Sequence, residues 1–237
     1  MIKLSDRLQI VYDMVPECNT VADVGCDHGY LTIALLERQK AKSAIAMDVN
    51  KGPLQSAKAN VTSAGFLSQT QFRLSNGLEK LGANEADVIC ICGMGGALIK
   101  RILDAGIDVA RTAKAIIIEP QSEYAMLRQF LADNHFVILD EDLCTEEGKI
   151  YPIMKIAYDA DATITLDASQ LEYGPVILQK RPKLLDTLLE KNKREFTSIL
   201  EKLSSKSNDT DSPIQKRIDE LNSELALIRL IQLERED

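Results

Sequence analysis

The stretch Val21–Leu36, VADVGCDHGYLTIALL, decides how the rest of the chain reads. A short apolar run, TVADV, leads into a turn with glycines at 25 and 29, and an apolar segment of helical length follows. A strand that ends in a glycine turn and opens a helix presents backbone N–H groups to a ligand. In a dinucleotide fingerprint, G-x-G-x-x-G, the second glycine lets a pyrophosphate come close. Here the run is Asp23-Val24-Gly25-Cys26-Asp27-His28-Gly29, so that position holds Asp27. A carboxylate repels a phosphate at this range and attracts a cation. S-adenosylmethionine has no phosphate and carries an ammonium and a sulfonium. Asp23 and Asp27 both suit it. Two other readings of Asp27 stay open: it faces the acceptor, or it caps the helix at Tyr30-Leu31.

Strand-like runs continue outward from this turn: SAIAMD, TQFRL, ADVICIC, AKAIIIE, FVILDEDLC and YPIMKIAYD. The first five strands alternate with helix-like segments, which implies βαβ units and a mainly parallel sheet covered on both faces. The last two are separated only by the turn signal EEGK, Glu146 to Lys149, and are expected to form an antiparallel hairpin. The fold class is therefore α/β, a Rossmann-like sheet of the class I methyltransferase layout, over residues 1–160. Residues 161–237 differ in composition. A connector, DADATITLDASQLEYGP, precedes two helical stretches. Leu185, Leu189, Asn192, Phe196, Ile199 and Leu203 step by fours and threes, as do Ile214, Ile218, Leu221, Leu225 and Ile228. That spacing is a coiled-coil seam, with Asn192 suited to fixing register. SSKSNDTDSP, Ser204 to Pro213, breaks the helix between them. An antiparallel helical hairpin attached to the sheet domain is the simplest architecture.

The 237 residues give no apolar run near the ~20 needed for a membrane span. The N-terminal MIKLSDRLQIVYDMV is amphipathic and unlike a signal peptide, so a cytoplasmic protein is expected. Five cysteines without a C-x-x-C, and only two histidines, point away from a metal site. Cys90 and Cys92 alternate within an apolar run and are expected to fill space on one strand face. A net charge of −8 argues weakly against nucleic acid unless the positive charge is clustered.

Other candidate residues lie at strand ends. Asp48 closes the second strand, about twenty residues after the turn, where an acid accepts ribose hydroxyls; a helix N-cap is the plainer reading. Asn76-Gly77 after the third strand suits an adenine edge or an ordinary turn. Gly93-Met94-Gly95-Gly96 ends the fourth strand at the edge where open α/β sheets do chemistry, either as a close-approach surface for a flat substrate or as a flexible turn. The Asn/Asp-Pro-Pro-aromatic element of amino-directed adenine methyltransferases is absent there. His28 sits in the first turn, as a buried structural histidine or with a direct role. Glu119-Pro120-Gln121 follows the fifth strand and lines the substrate pocket or simply starts a helix. Lys100-Arg101 lie one turn into the helix after Gly96. Lys180, Arg181, Lys183, Lys191, Lys193 and Arg194 make the first tail helix locally basic, for RNA docking or as a solvated face.

Taken together, DVGCDHGYL, Asp48, SNGL, ICGMGG, EPQ and EEGKIYPI resemble the bacterial tRNA adenine-22 N1-methyltransferase family, in order and spacing, over residues 1 to about 158. The helical tail is similar to the family's C-terminal coiled-coil domain. Cys26 and Gly29 are small-for-small departures; Glu119 stands where a Gln before Pro-Asn is the family form. The resemblance implies S-adenosylmethionine as donor, no metal, and N1 of a tRNA adenine as acceptor. It places Asp23, Gly25, Cys26, Asp27, His28, Asp48, Asn76, Gly77 and Gly93 around the cofactor. Arg7 reaches the methionine carboxylate or an RNA phosphate, unless it is a solvated charge. Asp27, Gly93, Met94 and Gly95 stand at the reacting end, and Lys100, Arg101, Glu119, Gln121 and the tail cations face the RNA. Two other readings remain: a methyltransferase of another RNA, a protein or a small molecule, and a non-enzymatic nucleotide-binding interaction module.

Overall fold

The computed structural model describes residues 2–204 and 213–233. Two compact units span Met1–Leu166 and Asp167–Asp237.

The first unit is a seven-stranded sheet: β1 (Cys18–Val24), β2 (Ala41–Asp48), β3 (Thr70–Leu74), β4 (Val88–Met94), β5 (Ala115–Pro120), β6 (Phe136–Glu146) and β7 (Lys149–Tyr158). Their spatial order is β3-β2-β1-β4-β5-β7-β6. Strands β1 to β5 pair in parallel, and β7 pairs antiparallel with both β5 and β6. The two-residue turn Glu147-Gly148 has φ of 50° and 75°, as a tight hairpin turn requires. The strand expectations from patterning hold, with ends shifted by a residue or two.

Helices α1 (Asp6–Met14), α2 (Tyr30–Glu37), α3 (Lys51–Ser63), α4 (Gly96–Ala105), α5 (Ile107–Ala110) and α6 (Tyr124–Asp133) cover the sheet. Strand residues alternate between two cores, as a period of two demands. Ile89 and Ile91 join the core under α4 and α6. Val88, Cys90 and Cys92 face the other core, under α1 and α2, so the two cysteines share one strand face as expected. Strand order reverses between β1 and β4, whose loops diverge to either side and leave a crevice at the carboxyl edge.

The second unit holds α7 (Ala168–Tyr173), α8 (Pro175–Lys180), α9 (Lys183–Ser204) and α10 (Pro213–Leu233). The connector expected before the tail contains α7, started by a capping box in which Asp167 accepts from Gln170 N. Helices α9 and α10 form an antiparallel hairpin: Arg181, just before α9, donates to Ile231 O, and Gln232 donates to Glu190 near the α9 start. Seam residues Leu185, Leu189, Leu221 and Ile228 are buried. Asn192 does not reach across the seam. Its amide lies 3.5 Å from the Tyr173 hydroxyl, so it ties α9 to α7. The breaker reading of Ser204–Pro213 falls mostly on residues 205–212, outside the described residues.

Candidate functional site

Two adjoining cavities open at the carboxyl edge, of about 330 and 290 Å³. Gly25, Asp27, Cys92 and Gly93 line both. The larger cavity adds Arg7, Asp23, Cys26, His28, Tyr30 and Gln121. The smaller adds Asp48, Asn76, Gly77 and Met94, with Leu98 and Ile102 of α4 as its apolar wall. The residues expected at a cofactor thus converge from five separate segments.

The first turn is shaped by close approach. Gly25 N and Cys26 N both donate to Met47 O, which folds the turn against β2. Gly25 has φ 76°, and a Cβ there would collide with Met94 Cε. Asp27 also takes a positive φ, 44°, and projects a side chain 69% exposed. Helix α2 is preceded by Gly29 and has no side-chain cap bond, so the capping reading of Asp27 fails. His28 is not a buried structural residue. Its side chain is 52% exposed, its Nε2 lies 3.8 Å from Asp27 Oδ2, and its ring stacks on Tyr30 at 5.5 Å. The left-handed residues at 27 and 29 turn this segment outward. Asp23, by contrast, is buried, with Thr32 Oγ1 donating to its Oδ2 at 2.7 Å. Burial pushes its pKa up to about 6, against that hydrogen bond and with help from Asp48.

Asp48 is buried and accepts from Asn50 N at 2.8 Å. It steadies the turn before α3, whose N-cap is Asn50, and still lines the smaller cavity. Asn76 donates its amide to Glu79 within its own turn, while Gly77 is pressed against Ile102.

At the β4 end, only part of the glycine cluster serves the cavities. Gly93 lines both. A Cβ on Gly96 would instead strike the Ser122 carbonyl, and one on Gly95 would meet Ser122 Oγ at 3.0 Å. These two glycines admit the β5–α6 loop, and neither lines the two cavities. Glu119 is likewise no pocket wall: its side chain has no exposed surface. Its Oε2 accepts from Gly93 N at 2.6 Å and from Arg7 Nη1 at 2.8 Å. Arg7 Nε also donates to Glu146 Oε2 at 2.6 Å, and its side chain is 17% exposed, so Arg7 is a paired cation lining the cavity and not a solvated charge.

The expected RNA-facing cations are spread differently. Lys100 holds its Nζ 5.6 Å over the Phe130 ring of α6. Helical period puts Leu98 and Ile102 on the cavity face and Lys100 on the opposite one. Arg101 is exposed on α4. On the tail, Lys180, Lys183, Lys191 and Arg194 are exposed, while Lys193 lies 3.9 Å from Glu190. Arg181 is withdrawn from that surface by its bond to Ile231 O. Sequence reasoning missed Tyr30 and Glu146. An aromatic residue at the first position of the cofactor-turn helix, 45% exposed, was the available signal for Tyr30. Among the described residues no group of three or more His, Cys, Asp or Glu converges on a metal site.

A parallel sheet closed by an antiparallel β7, with acids at the ends of β1 and β2 and cavities between β1 and β4, defines a class I methyltransferase fold. A family model for tRNA (adenine(22)-N(1))-methyltransferase matches residues 21–226, and the chain belongs to this family. It is 34% identical over 232 residues to the tRNA (adenine(22)-N(1))-methyltransferase of Bacillus subtilis, covering 96% of each chain. The crystal structure of the B. subtilis M1A22 tRNA methyltransferase TrmK superposes with a TM-score of 0.87 at 31% identity, over 98% of this chain and 99% of that one. A Streptococcus pneumoniae protein, Sp1610, described as a putative tRNA (m1A22) methyltransferase in complex with S-adenosyl-L-methionine, superposes with a TM-score of 0.81 at 32% identity, over 97% and 99%.

Proposed function

We propose that this protein transfers the methyl group of S-adenosylmethionine to N1 of an adenine in tRNA, at position 22 by family, in the cytoplasm. The observation that carries the reading is the pair of cavities joined at Gly25, Asp27 and Gly93, with the carboxylates of Asp23, Asp27 and Asp48 at their edges. Arg7, the cation that a pyrophosphate would need, is already committed to Glu119 and Glu146. Asp48 lines the smaller cavity beside the Asn76-Gly77 turn and the apolar wall of Leu98 and Ile102, which supports a reading in which it accepts from the ribose hydroxyls while the turn and wall hold adenine. Asp23 and Asp27 favour the cationic methionine end. When bound, the cofactor supplies an electrophilic methyl group.

The chain's residues need supply no strong base, because adenine N1 carries a lone pair at neutral pH. Their task is alignment and charge. Gly93 keeps the edge between the cavities open. Asp27 faces the positive charge as it passes from sulfur to the base. The exposed Tyr30 ring, stacked on His28 at the larger cavity, offers a flat surface to a base that has left its helix. The unit Asp167–Asp237 contributes the exposed lysines and Arg194 of α8 and α9 as a phosphate-docking surface.

Incubation of unmodified tRNA with the protein and S-adenosylmethionine, followed by primer extension, tests the reading. N1-methyladenine blocks pairing, so a stop at one adenine identifies atom and position together. Absence of a cofactor-dependent stop sinks it.

A further inference from the structure

Asn76 stands on a turn whose backbone is fixed from several sides. Ser75 N donates to Asp48 O at 2.9 Å, and Ser75 Oγ donates to Gly77 O and accepts from Lys80 N. Gly77 has φ 56° and lies against Ile102, where a Cβ would come within 2.9 Å of two side-chain carbons. Leu78 and Leu81, further along the turn, are buried. The Cα of Asn76 is therefore held in place, and its side-chain torsions alone remain to be set.

Glu79 fixes those torsions. Asn76 Nδ2 donates to Glu79 Oε1 at 2.8 Å. An amide has a donor end and an acceptor end, which exchange places by a half-turn about its last torsion. A carboxylate only accepts, so it takes the NH2 end. Among the described residues Asn76 Oδ1 accepts no hydrogen bond, and Asn76 lines the smaller cavity while Glu79 does not. We propose that Glu79 is a specificity-determining residue for the methyl donor. By holding the Asn76 amide with its oxygen toward the cavity, it makes that cavity accept a 6-aminopurine and reject a 6-oxopurine. This rests on the methyltransferase reading above, in which the smaller cavity holds the donor's adenine, and adds a role for a residue outside both cavities.

The chemistry of the two purines makes the orientation decisive. The 6-amino group of adenine donates, and Oδ1 accepts from it. Hypoxanthine has the same outline but carries at position 6 an oxygen that only accepts, so two acceptors would face each other. The apolar wall of Leu98 and Ile102 cannot make this distinction, because it reads shape alone. An amide turned the other way would donate to the 6-oxygen, and the preference would reverse.

The test measures, by calorimetry on full-length proteins, the affinities for S-adenosylhomocysteine and for its 6-oxo analogue, S-inosylhomocysteine. Wild type is compared with Glu79→Gln, Glu79→Lys, Asn76→Ala and the double variant Asn76→Ala/Glu79→Gln. Wild type is expected to prefer the adenosyl ligand. In Glu79→Gln the neutral amide can either accept from Asn76 or donate to it, so both orientations become available. The preference should fall by about tenfold, with S-inosylhomocysteine bound more tightly than by wild type. Damage to the fold would weaken both ligands and cannot produce that gain. Glu79→Lys can only donate, and should turn the amide round and reverse the preference. With Asn76 already replaced by Ala, Glu79→Gln should leave the preference unchanged within about twofold. An unchanged preference in both Glu79 variants overturns the proposal. So does an equal shift in the absence of the Asn76 side chain, which would mean that the charge acts through space. A wild type that binds neither ligand overturns the methyltransferase reading; a wild type that binds both equally overturns the specificity role alone.

Discussion

Thr32 Oγ1 donates to Asp23 Oδ2 at 2.7 Å, and this bond is the main polar support of a carboxylate that is otherwise nearly enclosed. It does not offset the burial: the Asp23 pKa rises from 3.8 to about 6. Folding without ligand therefore takes up a proton in that window, and stability falls as pH rises through it, by at most about 1.4 kcal/mol per pH unit. A cationic ligand has the opposite preference, because it binds the ionised form. S-adenosylmethionine affinity should rise up to about tenfold per unit as pH approaches 6 from below, then level off. Calorimetry at pH 5 and 7.5 measures this. Asp23→Asn should raise the Tm above pH 6 and remove the pH dependence of binding; pH-independent binding by the wild type would exclude Asp23 from the cation site.

Asp27 occupies a left-handed backbone position that asparagine also tolerates, so Asp27→Asn changes charge with little change of shape. If its exposed carboxylate faces the methionine end, affinity for S-adenosylmethionine should fall by about 1–3 kcal/mol when that pair is desolvated. If it faces the target base, cofactor binding stays normal and the single-turnover rate falls. Calorimetry and quench-flow on the one variant separate the two. Unchanged values in both would remove the physical reason for preferring a methyl donor over a dinucleotide.

Neutralising Lys180, Lys183, Lys191, Lys193 and Arg194 should weaken tRNA binding and leave cofactor binding intact. Every cation that no longer meets a phosphate should also reduce the salt slope by about 0.7–0.9. Arg181 is kept in this variant because its bond to Ile231 O secures the end of α10. An unchanged affinity and slope, read by fluorescence anisotropy over a salt series, would take this helix out of the binding surface.

Gly96→Ala should destabilise the protein by about 1–3 kcal/mol, since the added methyl meets backbone at Ser122 and not a flexible side chain. Denaturant unfolding measures it. A neutral outcome would show that the β5–α6 loop yields easily, and would return Gly96 to the role of a simple turn.

The sheet is legible in the sequence because its strands are short apolar runs bounded by glycines and acids, a local signal carried by period and length. The cavity-lining residues Gly25, Asp27 and Gly93 are legible for the same reason: they sit at strand ends in a fold whose ligand edge follows from its topology. The Arg7–Glu119–Glu146 cluster is not, because Arg7 lies 112 and 139 residues from its two partners. No spacing rule relates them. Whether Glu119 is a pocket wall or a buried strut depends on α1 crossing over it, which only the packed structure decides. The exposure of His28 is hidden for a different reason: two left-handed residues beside it reverse which way its ring points. The place of Lys100 is more accessible, as helical period already sets it opposite Leu98 and Ile102.

The place of β7 in the sheet governs how the polypeptide acquires its shape during synthesis. Strand β7 is made last in the first unit, yet it lies between β5 and β6. Until Lys149–Tyr158 has been added, β5 has an open edge carrying Ile116, Ile117 and Ile118, all of which pair with β7. An uncovered apolar edge is a template for wrong partners. A nascent chain stopped just short of β7 would already contain every acid proposed to bind the cofactor, yet would present that edge to its neighbours. Ligand-binding capacity and resistance to aggregation are thus completed by different parts of the chain, and the hairpin that closes the sheet is where a translational pause would do most harm.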